Sequence, residues 1–211
     1  MSGMPIEAVD LAALLCSRVC HDLISPVGAI VNGLEVLAEE KDEGTKTFAL
    51  DLIKNSAVTA SAKLQFWRIA FGAAGSFGAQ IDLGDAETIT RGFFEDDKTK
   101  LAWNLPRALL PKNRVKLLLN LLLVAGQTIP RGGKLAVDQI GAGESMGFKV
   151  SATGVNAKIP PAVAALLAGD AGGTPLDAQH IQPFYASLLA QASGVKVAMV
   201  MEGETVIVSA Q

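Results

Sequence analysis

Two histidines occur in the 211 residues, and only His21 has neighbours suited to chemistry. A neutral imidazole offers an unprotonated ring nitrogen at physiological pH, enough to attack an electrophilic centre such as phosphorus with little activation. Asp22 follows directly and could orient the ring or take its proton. Arg18, Asp22, Ser25 and Asn32 recur at helical spacing and read as a polar ridge beside it. Gly28 and Ala29 leave that face open to an approaching macromolecule. Pro26 withdraws one backbone donor and bends the helix one turn beyond the histidine. By position alone an exposed helical histidine is ordinarily a solvated surface group, so the case rests on these neighbours. His180 has a different setting: it precedes Ile181 and Phe184 near a helix start, where capping or packing explains it.

The helix that must hold His21 is legible from its apolar residues. Val9, Ala13, Cys16, Cys20, Leu23, Val27, Ile30, Leu34 and Leu37 alternate four and three apart, one stripe of a helix over about 9–37. His21 lies off that stripe, towards solvent. The charged residues 39–43 and Gly44 end the pattern in a tight turn. Leu50, Ile53, Ala57, Ala60, Leu64, Trp67 and Phe71 then mark a second helix, so the pair forms an antiparallel hairpin. Leu14, Leu15, Ile24 and Val31 flank the first stripe and find no cover within one hairpin. A second copy, completing a four-helix bundle about a two-fold axis, would cover them, and a homodimer is therefore expected. Cys16 and Cys20, the two cysteines of the chain, fall on this seam and are expected to be buried structural thiols. Two thiols are too few for a disulfide framework or a metal site.

The Gly/Ala/Ser-rich run 72–78 reads as a hinge dividing a helical hairpin, 1–75, from a mixed domain, 76–211. In the second part the pattern predicts a helix near 85–94, a strand near 101–105 and a helix over 112–127 that Pro111 introduces. Strands at 134–139 and 147–153 follow, then helices near 161–167 and 177–192. A hairpin of 195–201 and 205–209, turning at Glu202-Gly203-Glu204, closes the chain. The expected class is α+β, with helices on one face of a small sheet.

A net charge of −3 argues against non-specific nucleic-acid binding, which needs a basic surface. Half of the residues are apolar and 18% are charged, which fits a packed core and not a disordered tail. Residues 1–10 do not read as a secretory signal, and the longest apolar runs fall short of the roughly 20 residues of a membrane span. No membrane association is expected, and the chain reads as cytoplasmic.

The segment His21-Asp22-Leu23-Ile24-Ser25-Pro26-Val27-Gly28-Ala29-Ile30 resembles the phosphoacceptor box of sensor histidine kinases. With Leu14-Leu15-Cys16-Ser17-Arg18-Val19-Cys20 before it, the stretch is similar to that of the ChpT-type histidine phosphotransferases of alphaproteobacteria. The resemblance extends along the chain, as a hairpin followed by a domain of the histidine-kinase ATP-binding type. It implies a phosphoryl group carried on His21 and passed between the receiver domain of a hybrid kinase and the receiver domains of cell-cycle response regulators. Asp22 would orient or deprotonate His21, and Arg18, Ile24, Ser25, Gly28 and Asn32 would meet the partner.

In the second domain Asn120 matches the first asparagine of the kinase family's helix, but Val124 stands where a second asparagine holds Mg²⁺. Ala152 stands where an aspartate reads adenine, and Gly169-Asp170-Ala171-Gly172-Gly173-Thr174-Pro175-Leu176 is a poor version of the Gly-rich lid. The resemblance thus implies a carrier without ATP, with no cofactor bound by this chain and Mg²⁺ supplied by the receiver. Asn120 is left as a structural hydrogen-bonder. An active kinase with a divergent nucleotide site and a non-catalytic adaptor for receivers remain the alternatives.

Overall fold

A computed structural model describes residues 6–72, 80–141, 146–170 and 175–211. Two long helices lead, α1 (Ala8–Glu39) and α2 (Glu43–Ala70), and the break between them falls at the predicted charged turn. Asp42 caps α2: its carboxylate accepts from the Thr45 amide at 2.8 Å and the Thr45 hydroxyl at 2.9 Å. The helices meet closest at Gly33, where an added Cβ would lie 2.6 Å from Ile53 Cγ1 and 3.2 Å from the Ala49 carbonyl oxygen. Only a residue without a side chain lets the two backbones approach so nearly.

Each predicted stripe is split between two environments. On α1, Leu23, Ile30 and Leu37 are half-buried, while Ala13, Cys20, Val27 and Leu34 are exposed. On α2, Trp67 is buried and Ile53 and Ala60 are half-buried, while Leu50, Ala57 and Leu64 are exposed. One heptad line per helix is consumed by the hairpin and one is left over. Cys16 and Cys20 lie on the uncovered side, exposed in the single chain, contrary to the expectation of buried thiols. They stand 100° round the helix from Leu15 and Val19, which take the half-buried positions.

The second half builds α3 (Leu83–Phe94), α4 (Lys112–Gln127), α5 (Pro161–Leu167) and α6 (Ile181–Ala192). Its strands are β1 (Gln80–Asp82), β2 (Thr99–Trp103), β3 (Leu109–Pro111), β4 (Gly133–Ile140), β5 (Gly147–Thr153), β6 (Val197–Glu202) and β7 (Thr205–Ala210). Five strands form one sheet in the order β2-β4-β5-β7-β6, with β2 parallel to β4 and the other pairs antiparallel. The α+β expectation holds. Helix α4 lies between the sheet and α6, and every residue from Val115 to Ala125 is buried, as an almost wholly apolar helix requires. The strands β1 and β3, which pair with each other, were not expected, because three residues are too few to show a period. Helix α6 starts at Ile181, later than the pattern predicts, because Asp177 turns the preceding backbone by accepting from the Gln179 and His180 amides at 2.8 and 2.9 Å. The expected domain boundary at 75 and 76 lies outside the described residues, as do 171–174 of the lid-like stretch.

The two halves are tied at two places. Near the bottom of the hairpin, Leu11, Leu14 and Leu15 of α1 pack on Leu166, Ile181 and Phe184. At the end of α2, Trp67 stacks on Phe71 with ring centres 4.6 Å apart, and Phe66 packs on Phe93 at 4.1 Å. The last carbonyls of a helix lack intrahelical partners, and here α4 supplies them. Asn120 Nδ2 donates to the Ala70 carbonyl at 3.1 Å, and Lys116 Nζ to that of Gly72 at 3.2 Å. Burial pushes the Lys116 ammonium below its ordinary range.

Candidate functional site

His21 stands in the middle of α1 with 71% of its side chain exposed, as its place off the apolar stripe predicts. Its Nδ1 lies 3.3 Å from Asp22 Oδ1, a long contact, and among the described residues Nε2 has no hydrogen-bond partner. Asp22 and Arg18 do not share that exposure. Their side chains are only 12% and 16% exposed, and the Arg18 guanidinium lies 3.6 Å from Asp22 Oδ2. The solvated ridge is therefore corrected at these two positions. They border the face that runs through Pro26 and Gly33 into the hairpin, since Asp22 sits one turn before Pro26.

Ile24, Ser25 and Asn32 are exposed as expected, Ile24 by 70%. Gly28, two turns above His21 on its own face, has no neighbouring atom within 4 Å of where a Cβ would stand. The space beside Gly28 is open in the single chain.

Pro26 is buried, and α1 passes through it unbroken. Proline has no N–H, so the Asp22 carbonyl, four residues back, loses the donor that every interior helical carbonyl expects. Lys63 Nζ, reaching over from α2, donates to that carbonyl at 3.0 Å. Sequence reasoning missed Lys63. A signal was present, because a proline inside a helix names its orphaned carbonyl, and the hairpin turn sets Asp22 opposite the stretch of α2 that holds this cation.

Beside His21 the hairpin and the second domain frame an open pocket of about 620 Å³, lined among others by Arg18, His21, Gln127, Asp177, Gln179 and His180. His180 occupies the N-cap position of α6 but makes no side-chain cap bond, and its Nδ1 lies 3.0 Å from Asp177 Oδ1. The backbone amide of His180, followed by that of Gln179 and the imidazole itself, holds the Asp177 carboxyl below the usual range. Nothing in the residue pattern brings the two histidines of the chain to one pocket.

Away from His21, Asn120 is fully buried, and its amide is committed to the fold. Nδ2 donates to the Lys116 carbonyl at 2.7 Å as well as to Ala70, and Oδ1 accepts from Gln182 Nε2. Val124 and Ala152 have no exposed surface and pack in the main core. Among the described residues no three His, Cys, Asp or Glu side chains converge as a metal site.

Residues 83–205 match the family model described as the histidine phosphotransferase C-terminal domain, more than half of the chain. The protein phosphotransferase ChpT of Brucella abortus (strain 2308) is 49% identical over 206 residues, covering 98% of this chain and 97% of that protein. A solved bacterial phosphotransferase superimposes with a TM-score of 0.88 at 47% identity, over 99% of this chain and 100% of the other. The family match and the near-full-length identity lead to one conclusion, that this chain belongs to the histidine phosphotransferase family.

Proposed function

We propose that the chain is a phosphorelay carrier in which His21 takes a phosphoryl group from the receiver domain of a hybrid kinase and gives it to response-regulator receivers. The observation that carries this reading is the exposed His21 ring with Nδ1 turned to Asp22. With the proton on Nδ1, the Nε2 lone pair attacks the phosphorus of a receiver's aspartyl phosphate, the acyl phosphate P–O bond breaks, and the aspartate leaves as carboxylate. The Asp22 carboxylate then faces the imidazolium that results, while Arg18 holds Asp22 in place. Such transfers depend on alignment and charge neutralisation more than on covalent help from the protein. Mg²⁺ belongs to the receiver's acidic pocket in this scheme.

The donor is a protein and not ATP on this reading. Its support is that Val124 and Ala152 are apolar and fully buried and that the Asn120 amide is spoken for. The uncovered heptad lines of α1 and α2 support a homodimer, because a second hairpin would bury Val27, Leu34, Leu50 and Leu64 together. α1 is long and apolar enough to cross a membrane by length and composition. Arg18, His21, Asp22 and Pro26 along its middle, and a polar side opposite the apolar one, fit a bundle in water better than a span. A cytoplasmic location completes the proposal.

Labelled phospho-receiver and, separately, labelled ATP provide the test with the wild-type protein. Label is expected from the receiver alone. Label from ATP alone would make the chain a kinase and overturn the reading of positions 124 and 152. Gly28 offers a second check on the docking face. Gly28→Gln should raise helix stability by up to about 1 kcal/mol, since glycine is a poor helix former and the space is empty. The same side chain stands in the approach path and should slow transfer from a phospho-receiver roughly tenfold, a loss of about 1.4 kcal/mol of docking. A thermal melt and a transfer time course separate the two effects.

A further inference from the structure

Asp22 is held from three directions. Its Oδ1 meets His21 Nδ1 at 3.3 Å, its Oδ2 lies 3.6 Å from the Arg18 guanidinium, and its backbone carbonyl accepts from Lys63 Nζ at 3.0 Å. The first two contacts are local to α1. The third comes from the other helix, and it exists because Pro26 removed the ordinary donor. We infer that Lys63 is a positioning residue for phosphotransfer: by satisfying the Asp22 carbonyl it fixes the peptide that carries Asp22, and so the contact that keeps His21 Nδ1 paired and Nε2 free. This assignment rests on the phosphotransfer reading of His21.

The physical chain runs from the backbone outward. A half-buried carbonyl without a donor tilts towards water or draws water into the helix. Tilting the Asp22 peptide swings the bond to its Cβ, and Oδ1 moves with it. The contact at 3.3 Å is already long, so a displacement of a few tenths of an ångström breaks it. An imidazole released from Asp22 divides its proton between both nitrogens, and the fraction with a free Nε2 lone pair falls. Lysine suits the task because its long stem crosses the hairpin from a half-buried Cα while the ammonium offers three donors.

Pro26 supplies the control that tests this. Lys63→Met keeps the stem and removes the donor. Lys63→Arg keeps a donor. Pro26→Ala combined with Lys63→Met restores an amide four residues beyond Asp22, whose N–H can donate to the Asp22 carbonyl without any lysine. Three measurements are made on each full-length protein: the ¹⁵N shifts of the His21 ring, distinguished from His180 by a His180→Gln sample; the rate of His21 phosphorylation by phosphoramidate; and the melting temperature. In the chemical step Nε2 forms the new N–P bond while the donor's P–N bond breaks and ammonia leaves with a proton.

Lys63→Met is expected to shift the His21 ring towards the other tautomer and to slow phosphorylation roughly ten- to a hundredfold, the range a small misplacement costs. Lys63→Arg and the double replacement are expected to recover both. A purely structural lysine would lower the melting temperature and leave ring shifts and rate of the folded protein unchanged, which would overturn the assignment. Failure of Pro26→Ala to rescue Lys63→Met would overturn it too. Absence of label on wild-type His21 from both phosphoramidate and a phospho-receiver removes the phosphotransfer reading and this assignment together. Label on the wild type with an unaffected Lys63→Met removes the assignment alone.

Discussion

His21→Gln reduces phosphoryl acceptance from a receiver to background and leaves the fold as it was. The side chain is 71% exposed, and its one polar contact among the described residues is the long one to Asp22, so stability should change by less than about 0.5 kcal/mol. Glutamine keeps a polar, helix-compatible side chain but has no ring nitrogen with a lone pair to form an N–P bond. Mass spectrometry of the intact protein after exposure to phospho-receiver reads the acceptance, and a thermal melt reads the fold. Receiver binding should survive, because Ile24, Ser25, Gly28 and Asn32 are untouched. If regulators remained fully controlled by the His21→Gln protein, the adaptor reading would replace the relay.

Asn120→Ala should destabilise the protein by roughly 3–5 kcal/mol, because it strands several buried groups at once. The Ala70 carbonyl at the end of α2 loses its donor, and Gln182 Nε2 on α6 loses its acceptor. A domain of ordinary stability has about 5–15 kcal/mol in all, so the loss is large. Urea unfolding followed by the emission of Trp67, buried beside the junction, measures it. Phosphoryl acceptance of the still-folded fraction should be unchanged in cold buffer. Asn120→Ala that left stability intact would show the asparagine to be free for a ligand, against the hydrogen bonds described here.

The legible parts of the chain are those whose signal is local and repeated. Pro111 and the leucine-rich stretch that follows it define α4 to the residue, and Pro161 does the same for α5. Gly203, at φ 59°, marks the turn of the last hairpin. Heptad spacing located α1 and α2 but did not tell which of two adjacent apolar lines faces the other helix. That choice is made at Gly33, where close approach sets the rotation of α1 and so leaves Cys16 and Cys20 outside. The same rotation turns Asp22 and Arg18 inwards, which a helical wheel with no partner drawn on it does not reveal. Lys63 and His180 reach the neighbourhood of His21 only through tertiary folding, 42 residues away in the case of Lys63, whose bond to Asp22 spans 41.

The burial of Val124 and Ala152 has a bearing on descent. If an ancestor held nucleotide at these positions, the loss of its ligands has been followed by occupation of their space. An asparagine returned to position 124 would set an amide among leucines with no partner, and an aspartate at 152 would place a carboxylate inside the sheet, each at about 1–3 kcal/mol or more. Asn120, which the resemblance sets at the kinase family's first asparagine, closes the end of α2. Either replacement alone therefore weakens the domain. The stability of the core itself thus acts as a ratchet against polar replacements at these two positions.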